Sequence, residues 1–264
     1  MSTAYRTKGI VIKYTDLREA DRIITIFTST LGKVRAVAKG VRKTTSKLGG
    51  HLEFFNVLEL ELAEGRNLAT ITAARTIFNF PNLRTDLNST SLAYYLIELV
   101  DKLTPEEHRD TRIFNLLVAT LKNLDGQRNK AILERLLLVQ SFKIKLLGLL
   151  GFAPQLTKCV QCHRSLIAQE HYYFSNLLGG ILCFQCKRAD KVSFTLTTEM
   201  LKLLRILERG ELSFILQIEV EEKIIRVVSD ILNSYLKFIM EKDIKSLHFI
   251  NQVERLEKKT LNFV

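Results

Sequence analysis

Leucine and glutamate alternate over residues 58–62: Leu58, Leu60 and Leu62 point one way, Glu59 and Glu61 the other. That period of two belongs to a strand with one face buried. Four more β-rich runs share the first eighty residues: Gly9 to Ile12, Arg22 to Phe27, Lys33 to Lys39 and Leu68 to Phe80. The alternating run is expected to begin at Phe54, and Leu31-Gly32 marks a tight turn between the second and third strands. Five short strands with this patterning predict a small closed barrel such as the OB-fold, although other small barrels satisfy the same pattern.

From Thr85 the period lengthens to that of helices. Leu92, Tyr95, Leu96, Leu99 and Leu103 form one stripe, which Thr104-Pro105 ends. Ile113 to Leu124 predicts a second helix, closed by Asp125-Gly126, and Asn129 to Leu150 a third, apolar nearly all round and so buried. Thr197-Thr198-Glu199 starts another, which Gly210 stops, with Met200, Leu203, Leu204 and Leu207 inward. The longest is expected over Val220 to Met240, burying Ile224, Val228, Ile231, Tyr235 and Ile239. Residues past Leu256 read as frayed and charged.

Between the helical stretches stand the only four cysteines of the chain, as Cys159-Val160-Gln161-Cys162 and Cys183-Phe184-Gln185-Cys186. Zn²⁺ takes four thiolate or imidazole ligands tetrahedrally, and two C-x-x-C turns complete such a site with no open position for chemistry. The spacing predicts one structural Zn²⁺ held by Cys159, Cys162, Cys183 and Cys186. A disulfide framework needs an oxidising compartment, to which nothing here points. Cys162 is followed by His163, a c-type haem pattern, but that reading strands the second pair. His163 is expected beside the site rather than as a ligand. The architecture is thus α+β and multidomain: a barrel over 1–81, then a helical domain over 82–155 and 191–264 with a zinc module, 156–190, inserted in it.

Composition narrows the partners. The 264 residues are 47% apolar, enough for real cores, and carry a net charge of +11. The excess is uneven: residues 1–80 hold thirteen Lys/Arg against seven Asp/Glu, whereas 191–264 are nearly balanced. The N-terminus lacks the apolar stretch of a secretion signal, and Lys143 and Lys145 interrupt the greasiest run, so a cytoplasmic, nucleoid-associated protein without membrane contact is expected. A basic domain there attracts polyanions, nucleic acid above all.

The basic residues concentrate in one segment. Lys33, Arg35 and Lys39 share strand parity and are expected on one outer face, with Val34, Ala36 and Ala38 toward the barrel. Gly40 permits a bend, after which Arg42, Lys43 and Lys47 extend the positive surface; Arg6, Lys8, Lys13, Arg18 and Arg22 could widen it. This reads as a groove tracking phosphates without reading base edges, against the plainer reading of a solvated basic loop. Tyr5, Tyr14 and Phe54 or Phe55 are the candidate stacking rings.

No P-loop and no H-E-x-x-H occurs. Asp16, Glu19 and Asp21 could gather around Mg²⁺, but Arg18 and Arg22 interleave them, and no nucleophile converges with a base. No enzyme is expected. A metal-dependent nuclease, an RNA-binding barrel and zinc protein of the translation machinery, and a protein adaptor are the competing readings.

Several segments together resemble one family. Thr7 to Ile12, Glu19 to Ile24 and Ala38-Lys39-Gly40-Val41-Arg42-Lys43 are similar to the opening strands and basic signature of the bacterial RecO family of DNA repair proteins. Tyr94 to Leu99 resembles its first helix, and Gly151-Phe152-Ala153-Pro154 with Gly179-Gly180-Ile181-Leu182 the flanks of its cysteine pairs. The resemblance implies an N-terminal OB-fold, a helical domain and usually a four-cysteine zinc site. It implies binding to single- and double-stranded DNA and annealing of complementary strands. It further implies work with RecR, and often RecF, to load RecA onto DNA coated with single-stranded DNA-binding protein (SSB), whose acidic C-terminal tail some members contact. Some members lack the cysteines, so the metal is expected to brace the fold.

Overall fold

Alternating apolar residues close the N-terminal strands on themselves. In the computed structural model, which describes residues 4–106, 108–127, 132–240, 250 and 253, five strands form the barrel: β1 Ala4–Leu17, β2 Asp21–Thr28, β3 Gly32–Ala38, β4 Val57–Ala63 and β5 Ala69–Phe78. Their order is β1-β2-β3-β5-β4, with β4 returning to β1. The β3–β5 pair is parallel and the others antiparallel, the five-stranded Greek-key arrangement of an OB-fold. Long β1 pairs first with β4 and then with β2, and its register shifts between Val11 and Lys13. The bulge changes which parity faces outward: Arg6 and Lys8 before it, Lys13 and Thr15 after it. Val11, Ile24, Ile26, Ala36, Leu58, Leu60, Leu62 and Ile71 fill the interior, and Val41 and Leu52 from the β3–β4 connection pack against them.

The sequence pattern placed Phe54 and Phe55 in β4; the structure places them in the turn before it. Phe55 has φ +69°, a left-handed conformation foreign to a strand. Side-chain hydrogen bonds hold the turn: the Asn56 amide donates to His51 O at 2.8 Å, and Arg84 donates to Asn56 Oδ1 at 2.6 Å and to Phe54 O at 3.0 Å.

The chain divides into two compact units, Met1–Arg128 with Ser246–Val264, and Asn129–Lys245. Helices α1 Asn82–Thr85, α2 Leu87–Leu103 and α3 Thr111–Asp125 belong to the barrel's unit. Asp86 caps α2 by accepting from Ser89 N, and Asp110 caps α3 by accepting from Arg112 N. The α2–α3 connection seats the β2–β3 turn: Lys33 N donates to Glu106 O at 3.1 Å, and a Cβ on Gly32 (φ +71°) would lie 2.7 Å from His108 O.

The second unit holds α4 Ile132–Leu149, α5 Thr198–Arg209, α6 Leu212–Ile215 and α7 Glu222–Met240. Helix α4 is buried on all sides as its composition demands, Gln140, Ser141 and Lys143 included. On α5 the expected inward residues are buried. On α7 the buried face is rotated from expectation: Ile225, Leu232 and Leu236 join Val228, Ile231 and Tyr235, while Ile224 and Ile239 are half-exposed. Between α4 and α5 the cysteine region builds a small sheet of β6 His171–Ser175, β7 Gly180–Leu182 and β8 Phe194–Thr197, in the order β7-β6-β8. The segment past Leu256 read as frayed lies outside the described residues. No helix among those described is long and apolar enough to cross a membrane.

Candidate metal centre and cationic barrel face

The cysteine region is a pair of loops laced to β7. Gln155 N donates to Gly179 O and Ile181 N to Gln155 O, both at 2.9 Å, and a Cβ on Gly180 would lie 2.6 Å from Gln155 O. The first loop then turns tightly, with His163 N donating to Cys159 O and Cys159 N to Arg164 O, both at 2.9 Å. His163 makes that turn at φ +58°. The second pair straddles a 3₁₀ turn, Phe184–Ala189, with Cys186 N donating to Cys183 O at 3.0 Å. Arg205 of α5 donates twice to Leu156 O, at 2.9 and 2.7 Å, and so ties the region to the helices.

The four sulfurs all lie within 4.8 Å of one another. Cys162 and Cys183 are 3.9 Å apart, close to the ~3.8 Å expected between ligands ~2.3 Å from a shared tetrahedral ion and far from the ~2.05 Å of a disulfide. All four thiols are free. Burial opposes ionisation of Cys159, yet backbone N–H groups of Cys162, Cys183 and Gln161 outweigh it and bring the thiol down to about 6. Burial and the three neighbouring sulfurs push Cys186 up to about 12. Four thiolates so crowded repel one another, and a soft dication relieves that repulsion; the donor set fits one. Because both thiols of the first pair turn toward the second, neither is directed to a haem. His163 supplies a backbone conformation.

The cations fall on two neighbouring walls of the barrel. On the outer face of β1–β2–β3, Lys13, Thr25 and Arg35 form a row across three strands. With Tyr5, Thr15, Ile23, Lys33, Val34, Asn67, Leu68, Ala69, Asp101 and Glu106 they line a groove of about 600 Å³, so two carboxylates share it with the cations. Lys39 follows beyond the strand, and Gly40 (φ +64°) bends the chain, its N–H donating to Asp21 Oδ1 at 2.7 Å. Arg42, Lys43 and Lys47 are exposed on the loop after it. Among the described residues, Lys13, Arg35, Lys39, Lys43 and Lys47 form no ion pair.

Three expected members of this face sit differently. Lys33 is on the outer parity, but its ammonium donates to Asp101 O at 2.6 Å and lies 3.7 Å from Asp101 Oδ1, leaving the side chain 11% exposed. Arg6 and Lys8 lie on the β1–β4 wall opposite Glu61 and Glu59. Arg6 pairs with Glu61 and Arg75 with Glu59, so this wall is charge-compensated. A hydrogen bond from Arg75 holds the Glu59 carboxyl below its usual range.

Arg22 stands at the barrel's end, with Nε donating to Asp16 Oδ1 at 2.8 Å and its guanidinium 4.8 Å from the Tyr14 ring centre. The Arg22 hydrogen bond and the nearby Arg42 charge keep Asp16 below the usual carboxylate range. The acidic turn is therefore occupied internally: Asp16 by arginines, Asp21 by Gly40 N. Among the described residues the cysteine cluster is the only group poised for a metal. Sequence reasoning missed Asn67, Leu68 and Asp101 because they reach the groove from a loop and a helix remote in the chain.

The sequence matches known proteins along nearly its whole length. The family model described as "Recombination protein O N terminal" matches residues 1–80, and "Recombination protein O C terminal" matches 84–248. "DNA repair protein RecO" of Dehalococcoides mccartyi strain 195 is 34% identical over 251 residues, 95% of this chain and 96% of that protein. Its namesake from Roseiflexus sp. RS-1 is 36% identical over 252 residues, 96% of this chain and 87% of that protein. That of Thermoanaerobacter sp. X514 is 32% identical over 251 residues, 95% and 98% of the two chains.

Proposed function

The chain belongs to the RecO family, whose role is DNA repair and recombination, and from that premise we propose that it is a recombination mediator that works on DNA without a covalent step. It binds single- and double-stranded DNA through the β1–β2–β3 face and the 39–47 loop, and it anneals complementary strands. With RecR, and with RecF where present, it helps RecA load onto DNA coated by SSB, whose acidic tail it contacts. The setting is the cytoplasm. The observation that carries this reading is a set of cations without ion-pair partners among the described residues, Lys13 and Arg35 on the barrel face and Lys39, Lys43 and Lys47 after it, on an OB barrel, a fold that takes oligonucleotides.

The physics of annealing follows from charge. Two strands approach against the repulsion of their phosphates. A cationic surface that neutralises several phosphates on each lowers that barrel-side repulsion and releases counterions, so pairing accelerates with no bond made or broken in the chain. Contacts of this kind hold phosphates and ignore sequence. Lys33, Arg6 and Lys8 contribute less to the surface, being held by or facing carboxylates, and Arg22 less again.

We read the four thiolates as ligands of one Zn²⁺, Cys159, Cys162, Cys183 and Cys186 supplying all four positions. The ion gives binding energy to a segment too small to fold on its own core and leaves no coordination site for catalysis.

The test is a triple reversal, Arg35→Glu, Lys39→Glu and Lys43→Glu. Filter retention of a labelled oligonucleotide is expected to vanish at 100 mM salt with the circular dichroism spectrum unchanged. Each phosphate contact adds about −0.7 to the log–log salt slope on single strands, so three lost contacts flatten it by about 2. Unchanged affinity and slope would sink the reading. Annealing of strands precoated with SSB, followed with and without RecR, tests the mediator role.

A further inference from the structure

Resting on the DNA-binding reading, we propose that the barrel's end carries a stacking platform for unpaired nucleobases, formed by Tyr14, Phe54 and Tyr94 and bracketed by arginines. It adds a base-stacking site to the phosphate-tracking surface and favours single over double strands.

The platform joins three stretches distant in the chain. Tyr14 comes from β1, Phe54 from the turn before β4 and Tyr94 from α2, all in one compact unit. The Tyr14 and Phe54 ring centres are 4.2 Å apart, and Phe54 lies 5.2 Å from Tyr94, edge to face. Tyr14 and Phe54 are half-buried and Tyr94 is 36% exposed. At one end Arg42 approaches Asp16 to 3.5 Å, Asp16 accepts from Arg22, and the Arg22 guanidinium overlies Tyr14. At the other end exposed Arg84 donates to Phe54 O. The three rings are thus flanked by guanidinium groups, Arg22 and Arg42 meeting on Asp16 at the Tyr14 end and Arg84 at the Phe54 end.

Packing explains only the inner sides of these rings, since Tyr14 and Phe54 rest on the barrel core. The barrel core is already closed at this end by Leu52 and Val41, which are buried. Phe55, beneath Tyr94 at 4.9 Å, is 3% exposed and suffices to seal α2 against the barrel. Tyr14 and Phe54 set one side against the barrel core, and Tyr94 stays 36% exposed, where an aromatic ring costs solvation unless something covers it. The turn that presents Phe54 also holds Phe55 at φ +69°, an uncommon conformation for a bulky residue that is met at ligand clamps. The occupant follows from the cations at both ends of the rings. A base covers a ring while its flanking phosphates meet the exposed guanidinium groups of Arg42 and Arg84, and every base has a face to offer, so the platform tolerates sequence. In a duplex the faces are taken by neighbouring base pairs, so duplex DNA gains nothing here. Glu53 lies near both tyrosines and holds their hydroxyls protonated, adding to the burial that pushes Tyr14 up to about 12.

The experiment compares three ligands of equal length, a mixed-sequence single strand, an abasic single strand and a duplex, on the full-length protein. Wild type is expected to bind the base-bearing strand about tenfold more tightly than the abasic one. Tyr94→Ala is expected to lose that preference while its affinities for the abasic strand and the duplex stay within twofold. Tyr94→Trp restores the preference and, in a chain with no other tryptophan, reports stacking as fluorescence quenched by the base-bearing strand and not by the abasic one. Equal wild-type affinity for base-bearing and abasic strands overturns the platform and leaves the phosphate-binding reading intact. So does an equal loss of all three ligands in Tyr94→Ala. Failure of wild type to bind any of the three at low salt overturns both.

Discussion

His163 shows how a single residue can mislead by its neighbours. Next to Cys162 it completes a haem-like motif and stands where a fourth ligand might be sought. Its backbone explains it better: φ +58° closes the first cysteine loop, a conformation that costs a side chain with a Cβ about 1–2 kcal/mol. His163→Gly is therefore expected to keep one metal ion per chain and to raise the stability of the second unit by about 1 kcal/mol. Metal analysis and thermal unfolding check this, and loss of metal in that variant would restore the ligand reading. The cysteines themselves were legible because C-x-x-C spacing is local and the chemistry of four thiolates admits few alternatives. Lys33 was half-legible: strand parity put it on the outer face, but Asp101, which holds it there, lies sixty-eight residues on and leaves no local trace.

Among the elements, α4 shows what amphipathic reading gives and withholds. Its all-round apolar composition marked it as buried, and it is. Composition did not say what Lys143 does inside. The ammonium donates to Gln140 Oε1 at 2.8 Å and to Asn233 Oδ1 of α7 at 2.5 Å, joining the two helices by a buried polar contact. Burial, opposed by Asp230, brings Lys143 down to about 7. The unfolded chain, with an ordinary lysine near 10.4, binds more protons than the folded one between those values, so this group makes stability rise with pH across that window. Below about 7 both forms are protonated and the full burial penalty stands. Lys143→Met removes the titration but strands two amide oxygens. The variant's melting temperature minus that of wild type is expected to fall steadily from pH 7 to pH 9, as the penalty on wild type is relieved. A difference independent of pH would mean Lys143 is charged throughout. The strands were legible for the same reason α4 was, a periodic pattern with one buried side. The sheet β6-β7-β8 was not, because strands of five, three and four residues are too short to display a period. The Phe54–Phe55 turn was missed because two adjacent aromatics read as strand until Asn56 and Arg84, one of them from a later helix, are seen to hold the turn.

At the scale of the whole molecule, two compact units divide the work: the barrel with its three following helices carries the cationic face and the aromatic line, and the other unit carries the thiolates. Stability in such a chain is local, and perturbing one unit need not reach the other. Removing the metal tests this directly. Without an ion, residues 156–190 keep two strands of five and three residues, which with four-residue β8 beyond them make the small sheet, and four sulfurs within 4.8 Å of one another. Structural zinc contributes on the order of 10 kcal/mol to segments of this kind, more than the remaining contacts can replace. Treatment with a strong chelator under reducing conditions is therefore expected to raise amide exchange throughout 156–190 and into α5, which Arg205 ties to Leu156. Exchange in β1 to β5 should stay as it was, and affinity for a single strand should change less than twofold, because the cations and rings proposed to hold it belong to the other unit, which has a closed barrel core of its own. Cys159→Ser should reproduce both results without chelator. Loss of DNA binding in step with loss of metal would show that the thiolate site shapes the DNA surface, and the division of labour between the two units would have to be abandoned.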